Sequence, residues 1–372
     1  MLRCRPDPPA ASSVSTRSRD GYALVVGEAL IDIVEVDGQP STEHVGGSPG
    51  NVALGLGRLG VPVRLLTALG RDDRGRNISD HLRSSGVQID PRSWTLARTS
   101  TARARIGGDG SAAYEFDIEW PAFDAFAPPA AGLVHVGSLG ALVNPGAADV
   151  LRLVRTLPPG AVLTFDPNIR PRLLSDRATA TAQVSAITQR ADFVKLSDED
   201  AAWLYPGLDA DNVLDLLLDA GARAVALTRG SAGAELASPD ARVHVDALPV
   251  HVTDTVGAGD SFMAAIAREL FHERVGPGEY DADTLTRLGR RGAQAAAVTV
   301  TRVGADLPRN ADLPSSAGGA TLPRRTFLAA ALAVAGAATI WRLSDTPASA
   351  SEREEATAAP DTSGHASIVG VL

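Results

Sequence analysis

From Tyr22 onward the chain alternates apolar runs of strand length with amphipathic stretches. YALVVGEALIDIVEV opens with a buried strand, breaks at Gly27–Glu28, and resumes as a second apolar run that carries Asp32. NVALGLGRLG (51–60) predicts a helix, VPVRLLTALG (61–70) a strand, and DDRGRNISDHLRSSG (72–86) a polar helix stopping at Gly86. ARARIGGDGSAAYEFDIE (102–119) alternates on both sides of Gly107-Gly108-Asp109-Gly110, the pattern of a β-hairpin. Farther on, strands GLVHVGSL, AVLTFDPN, ADFVKLS and RAVALTRG alternate with helices at ADVLRLVRTL, near 175–190, near 198–205 and at VLDLLLDAG. Two more helices follow, from about Ala258 to Phe271 and near 283–300. Unbroken apolar strands separated by helices predict a mostly parallel sheet covered on both faces, an α/β doubly wound architecture. The early hairpin departs from that rhythm and predicts a small separate sheet.

The two ends of the chain read differently. Residues 1–20 are rich in Pro, Ser and Arg and lack the apolar centre of a secretory signal, so they read as a loose leader. Residues 316–372 form an appended tail with an uncharged apolar segment, 326–341. As a helix that segment is about 24 Å long at about 1.5 Å per residue, short of a hydrocarbon core of about 30 Å. Arg324 and Arg325 before Thr-Phe-Leu resemble a twin-arginine export signal, which belongs at the start of a protein. Three readings stay open: a reading-frame artefact or gene fusion, a weak membrane anchor, or a helix packed on the domain. That leaves 21–315 as the main domain.

Composition narrows the function classes. Apolar and charged fractions of 44% and 21% are those of an ordinary soluble protein. A net charge of −9 argues against nonspecific nucleic-acid binding, and 4% aromatic residues argue against base-stacking platforms. The single cysteine, Cys4, cannot form an internal disulfide and suits a reducing cytoplasm. The expectation is a cytoplasmic enzyme of small molecules, touching a membrane only if 326–341 is an anchor.

Three glycine motifs carry candidate chemistry. Gly55-Leu56-Gly57-Arg58-Leu59-Gly60 matches GxGxxG, but a dinucleotide fingerprint follows a strand and opens a helix. This one lies inside and at the end of a helix, with Gly60 as its C-terminal cap. Gly46-Gly47-Ser48-Pro49-Gly50-Asn51 lets backbone approach a ligand closely. Asn51 there either contacts sugar hydroxyls or caps the following helix. In DTVGAGDSF (254–262) the amides of Gly257, Ala258 and Gly259 fall at a helix N-terminus, which favours an anion. The loop lacks the lysine of a Walker motif and carries Asp254 and Asp260 instead. Asp260 fits a base for a hydroxyl attacking a phosphoryl group, although an acid there can also be a simple dipole partner.

Together DTVGAGDSF and GGSPGNVALGLGRLG (46–60) resemble the two signatures of the ribokinase-like (PfkB) carbohydrate kinases. The resemblance covers roughly 22–314. It implies a doubly wound domain with a small β-sheet lid, from about 33–45 and 98–120, and a homodimer through that lid. It implies ATP, Mg2+ and K+ as cofactors, and a sugar and ATP as small-molecule partners. Asp260 is then the catalytic base, and Gly257, Ala258 and Gly259 the anion hole. Asp254 holds the monovalent cation, and Asp32, Gly47 and Asn51 contact sugar hydroxyls. Thr228, Gly230 and Gly233 lie on the nucleotide loop, and the helix near Ala293–Ala297 walls the adenine. The family's Asn-x-x-Glu becomes Ser197-Asp198-Glu199-Asp200 here, with Asp200 ordering magnesium-bound water.

GEALIDIV, GGSPGN, FDPNIRP and VKLSDED are most similar to bacterial fructokinases. Arg105 and Arg170 are each candidates to hold a polar substrate or to be salt-bridged or solvated. Two arginines also suit an acidic sugar such as 2-keto-3-deoxygluconate, or a phosphosugar. Fructose is therefore the expected substrate, with another sugar such as ribose or a silent sugar-binding protein on the same scaffold as alternatives.

Overall fold

A computed structural model describes residues 21–107, 112–123, 131–158, 160–273, 275, 279–314 and 370–371. The 1–20 leader, residues 108–110 of the hairpin turn and the 326–341 segment lie outside the described residues. Among the described residues no helix is long and apolar enough to cross a membrane.

Buried apolar runs become the strands of one large sheet. Its members are β1 (Ala23–Val26), β4 (Val63–Leu66), β5 (Val87–Ile89), β8 (Leu133–Gly137), β9 (Val162–Asp166), β10 (Phe193–Ser197), β11 (Ala224–Thr228), β12 (Ala234–Ala237) and β13 (Arg242–Val245). The strand order is β13-β12-β11-β10-β9-β8-β1-β4-β5, parallel from β11 to β5. Alternation along β1 splits the core in two. Ala23 and Val25 face α1 (Ser48–Arg58), α2 (Asp73–Arg83), α8 (Ala258–Glu273) and α9 (Ala282–Val300). Leu24 and Val26 face α3 (Ser138–Leu142), α4 (Gly146–Arg155), α5 (Arg177–Thr188), α6 (Asp198–Leu204) and α7 (Ala210–Asp219). The antiparallel edge pair β12–β13 is not among the elements the hydrophobic pattern predicts, because each strand has only four residues.

A second sheet is separate, as the hairpin predicts. It runs β3 (Thr42–Gly46), β2 (Leu30–Val36), β6 (Thr101–Ile106), β7 (Ala112–Asp117), with β2 and β6 parallel. The chain enters it twice, after β1 for β2 and β3 and after β5 for β6 and β7. Strand order reverses between β1 and β8, the switch point where open α/β sheets place ligands at the carboxyl ends of their strands.

Four helix starts rest on acidic caps. Asp72, Asp176, Asp209 and Asp281 accept from Gly75, Thr179, Asn212 and Thr284 amides at 2.8–2.9 Å. α1 is different: it begins at Ser48, ahead of the predicted start near Asn51, because Pro49 is tolerated in a first turn. Asn51 therefore lies inside the helix and does not cap it. Gly55 packs where a Cβ would meet Ala264 of α8 at 2.7 Å, and Gly60 ends the region at φ 82°, so GxGxxG serves packing and termination.

Gly47, the N-cap of α1, sits at φ 97°, and a Cβ there would lie 2.7 Å from the Glu28 carbonyl oxygen. Both the backbone conformation and the close approach require glycine. Gly47→Ala is expected to cost about 1–3 kcal/mol of unfolding free energy, a size typical of strain at a special φ/ψ. A urea titration at neutral pH checks it.

Candidate active site

The large sheet turns from apolar to polar toward its carboxyl edge. On the side facing α8, β9 and β10 place Thr164, Asp166 and Lys195 after the apolar Val162 and Phe193. Lys195 is buried and its ammonium donates to Asp166 Oδ2 at 2.9 Å. The same ammonium lies against the start of α8, where a Cβ on Gly259 would be 2.8 Å from Nζ. The lysine missing from the 254–262 loop is supplied by a neighbouring strand.

Burial opposes charge on Lys195, but Asp166, Asp200 and Asp260 around it outweigh that cost and raise its pKa, keeping it cationic. Asp166 is pushed up to about 6, by burial first, with Lys195 opposing and Asp200 and Asp260 adding to the rise. Its Oδ1 is buried without a hydrogen-bond partner among the described residues. His135, one strand over, contacts Thr164 Oγ1 at 3.0 Å; burial and Lys195 hold its pKa down to about 3, so it is neutral.

Asp260 occupies the first turn of α8 and is buried. Ser48 Oγ donates to its Oδ1 at 2.7 Å and Asn51 Nδ2 to its Oδ2 at 2.8 Å. The N-terminal turns of α1 and α8 thus meet at one carboxylate, where both helix dipoles favour negative charge. Of the three amides expected to form an anion hole, that of Ala258 is hydrogen-bonded to the Thr255 carbonyl at 3.3 Å. Gly257 (φ 78°) and Gly259 flank it and are partly exposed. Asp254 Oδ1 accepts from Val256 N at 3.0 Å and Oδ2 from Gly304 N at 2.8 Å, tying the loop to the turn after α9.

Asp32 and Glu28 lie where the two sheets join. Asp32 is half-buried, its Oδ1 is enclosed without a partner among the described residues, and desolvation pushes its pKa up to about 7 against the pull of Arg170. Glu28 accepts from Gly140 N at 3.0 Å and is likewise raised to about 7 by burial, with Ser138 and Arg170 opposing. The Arg170 charge acts on both acids, while its guanidinium donates to the Ile169 carbonyl at 2.9 Å. Arg105 is elsewhere: it is paired in register with Glu35, while Asp32 is paired with Ala102. Three residues separate Ala102 and Arg105, so Arg105 faces the opposite side of the small sheet from Asp32. Its guanidinium bridges Glu35 at 2.9 Å and Glu115 at 3.1 Å. Residue type suggested a substrate contact; strand phase does not provide one.

Asp200 closes a capping box with Ser197 (Asp200 N to Ser197 Oγ and Ser197 N to Asp200 Oδ2, both 3.0 Å), and its Oδ1 accepts from Ile169 N at 2.7 Å. Thr228 ends β11 next to Ser197, and Gly230 (φ 49°) and Gly233 (φ 87°) shape the turn that follows. Ala293–Ala297 does not form an open wall. These residues are covered by protein, because α9 packs tightly enough on α8 that a Cβ on Gly292 would meet the Phe262 ring. Among the described residues no three acidic, His or Cys side chains converge as a cation cage. Ser48, Lys195, Asp166 and Glu28 are the residues the motifs missed. The signal for Lys195 was a lone charge inside the otherwise buried strand FVKLS.

A model of the pfkB family carbohydrate kinases matches residues 20–312. The fructokinase of Rhizobium leguminosarum bv. trifolii is 32% identical over 258 residues, spanning 66% of this chain and 79% of that protein. The fructokinase of Salmonella typhimurium is 30% identical over 258 residues, spanning 66% and 83%. The structure of Xylella fastidiosa fructokinase with bound ATP superposes with a TM-score of 0.66 at 25% identity, over 78% of this chain and 96% of that one.

Carboxyls whose folded pKa exceeds their unfolded value bind protons better in the folded state. Their burden is greatest above pH 7 and is relieved as pH falls through about 7 for Glu28 and Asp32 and about 6 for Asp166. These groups therefore favour the fold more at pH 5.5 than at pH 8. Asp32→Asn removes one such charge and is expected to raise Tm at pH 8 by more than at pH 5.5. Calorimetry at the two pH values checks the difference; an equal shift at both would contradict it.

Proposed function

We propose, since the chain belongs to the pfkB family of carbohydrate kinases, that it transfers the γ-phosphoryl group of ATP to the primary hydroxyl of fructose, giving fructose 6-phosphate and ADP. The observation that carries this reading is the convergence on Asp260. An acid gripped by Ser48 and Asn51 stands beside the Gly257 and Gly259 amides, with the Lys195 ammonium behind Gly259. An anion site and a base for a hydroxyl are what transfer between two oxygens requires.

In this reading Asp32, Gly47, Asn51 and Asp260 hold the sugar. Asp260 takes the proton of the attacking hydroxyl as the new oxygen–phosphorus bond forms and the bond from phosphorus to the bridging oxygen of ADP breaks. Gly257 and Gly259 donate to the transferred group, and Lys195 offsets its charge. The nucleotide runs from there past Ser197 to Thr228, Gly230 and Gly233. Magnesium carried in with ATP shields the phosphate charge. It keeps several waters, and Asp166, whose Oδ1 is buried without a partner, and Asp200 suit such waters. Asp254 takes the potassium ion. The four-stranded sheet acts as the lid that excludes water from the sugar.

A neutral sugar fits the charge better than an acidic one. In this reading Asp32, Glu28 and Asp260 border the sugar, the Arg170 charge already acts on two of them, and Arg105 faces the other way. Fructose in particular is supported by the names of the relatives.

ADP release over a panel of ketohexoses, ribose and keto-sugar acids is expected to be fastest with fructose. A faster sugar would replace it as the substrate, and sugar binding without ADP release would favour a silent binding protein. Asp260→Asn is expected to lower kcat about 100- to 10,000-fold with ATP affinity unchanged; near-normal turnover would remove Asp260 as the base. Exchanging potassium for tetramethylammonium should slow turnover if Asp254 binds the ion.

A further inference from the structure

Ser48 spends its hydroxyl unusually. A serine at a helix start normally caps its own helix by accepting from an amide two or three residues on. Here the N-cap of α1 is Gly47, with no side-chain cap bond, and Ser48 is the first helical residue. Its Oγ instead crosses 212 residues of sequence to donate to Asp260 Oδ1 at 2.7 Å. Asn51, three positions along the same helix and hence on the same face, donates to Oδ2 at 2.8 Å. All three side chains are buried.

We propose that Ser48 is a positioning residue for phosphoryl transfer: it fixes the plane of the Asp260 carboxylate, so that the oxygen acting as base is aimed at the acceptor hydroxyl. The inference rests on the proposed role of Asp260 and adds a residue that does not itself contact the sugar. A carboxylate held at one oxygen can turn about its Cβ–Cγ bond; held at both from one helix face, it cannot. The helix start is built to deliver this hydroxyl. Gly47 at φ 97° turns the chain against the Glu28 carbonyl, and Gly50 N donates to the same carbonyl at 3.3 Å, setting where Ser48 emerges. The role belongs to orientation rather than to binding, because Asn51 and Asp32 remain to hold the sugar when the Ser48 hydroxyl is removed.

The test is steady-state kinetics of Ser48→Ala and Ser48→Thr with fructose and ATP, alongside thermal melts of both variants. Ser48→Ala is expected to lower kcat about 10- to 100-fold, the worth of one hydrogen bond to a charged group. Its KM values for sugar and ATP should stay within about twofold, since an interaction used only in the transition state moves kcat alone. Ser48→Thr keeps the hydroxyl and is expected to recover most of the lost kcat. A Ser48→Ala enzyme with wild-type kcat would overturn the proposal while leaving the kinase reading intact. So would a folded variant whose loss lies in sugar KM, or a folded Ser48→Thr no better than alanine. A folded wild-type chain that releases no ADP with any sugar would overturn both.

Discussion

The Lys195 ammonium, 2.9 Å from Asp166 and held cationic by Asp166, Asp200 and Asp260, is the charge around which the carboxyl edge of the sheet is arranged. Without it three buried carboxyls would share this region with no opposite charge among them. The cation also lies against Gly259, so one charge faces the acids on one side and the start of α8 on the other. In the proposed function this charge stands between the base and the phosphate. Because it comes from β10 and not from the loop, the loop stays free to present backbone amides.

A second constraint is that the base is shared between distant segments. Asp260 comes from α8, and the groups that hold it come from α1, more than 200 residues earlier. The two helices must therefore cross in one fixed relation. Gly55 permits that crossing by letting α1 approach Ala264, and Gly47 fixes where α1 begins. The glycines that suggested ligand contact in the N-terminal motif thus serve the geometry of the helix first. Their chemistry follows through Ser48 and Asn51.

The sequence reveals the fold well because its signals are periodic: buried parallel strands, capped helices and an alternating hairpin each leave a pattern longer than their errors. The four-residue strands β12 and β13 carry too few positions to leave one. For the site, motif residues such as Asp260, Asn51 and Gly257 are legible because several special residue types cluster in a few positions. Ser48 was quoted within its motif and passed over, since nothing local says that a serine reaches across the molecule. Arg105 failed for the opposite reason. Its side chain suited a substrate, but only the register with Asp32 shows on which face it lies.

The acids at the junction of the two sheets show what the proposed sugar site costs the fold. Asp32 and Glu28 are both raised to about 7 by burial, so at neutral pH each is only partly ionised and each burdens the folded state. A protein selected for stability alone would place apolar side chains there. Asp32 Oδ1, buried without a partner, is the kind of unsatisfied group that persists where a ligand is to satisfy it. In the proposed function a sugar hydroxyl donating to that oxygen would relieve the penalty and so add to the binding energy. An acidic sugar would instead, in the same reading, add negative charge beside two half-ionised carboxyls, on both of which the Arg170 charge already acts. The desolvation that destabilises the fold thus accords with the neutral substrate proposed above.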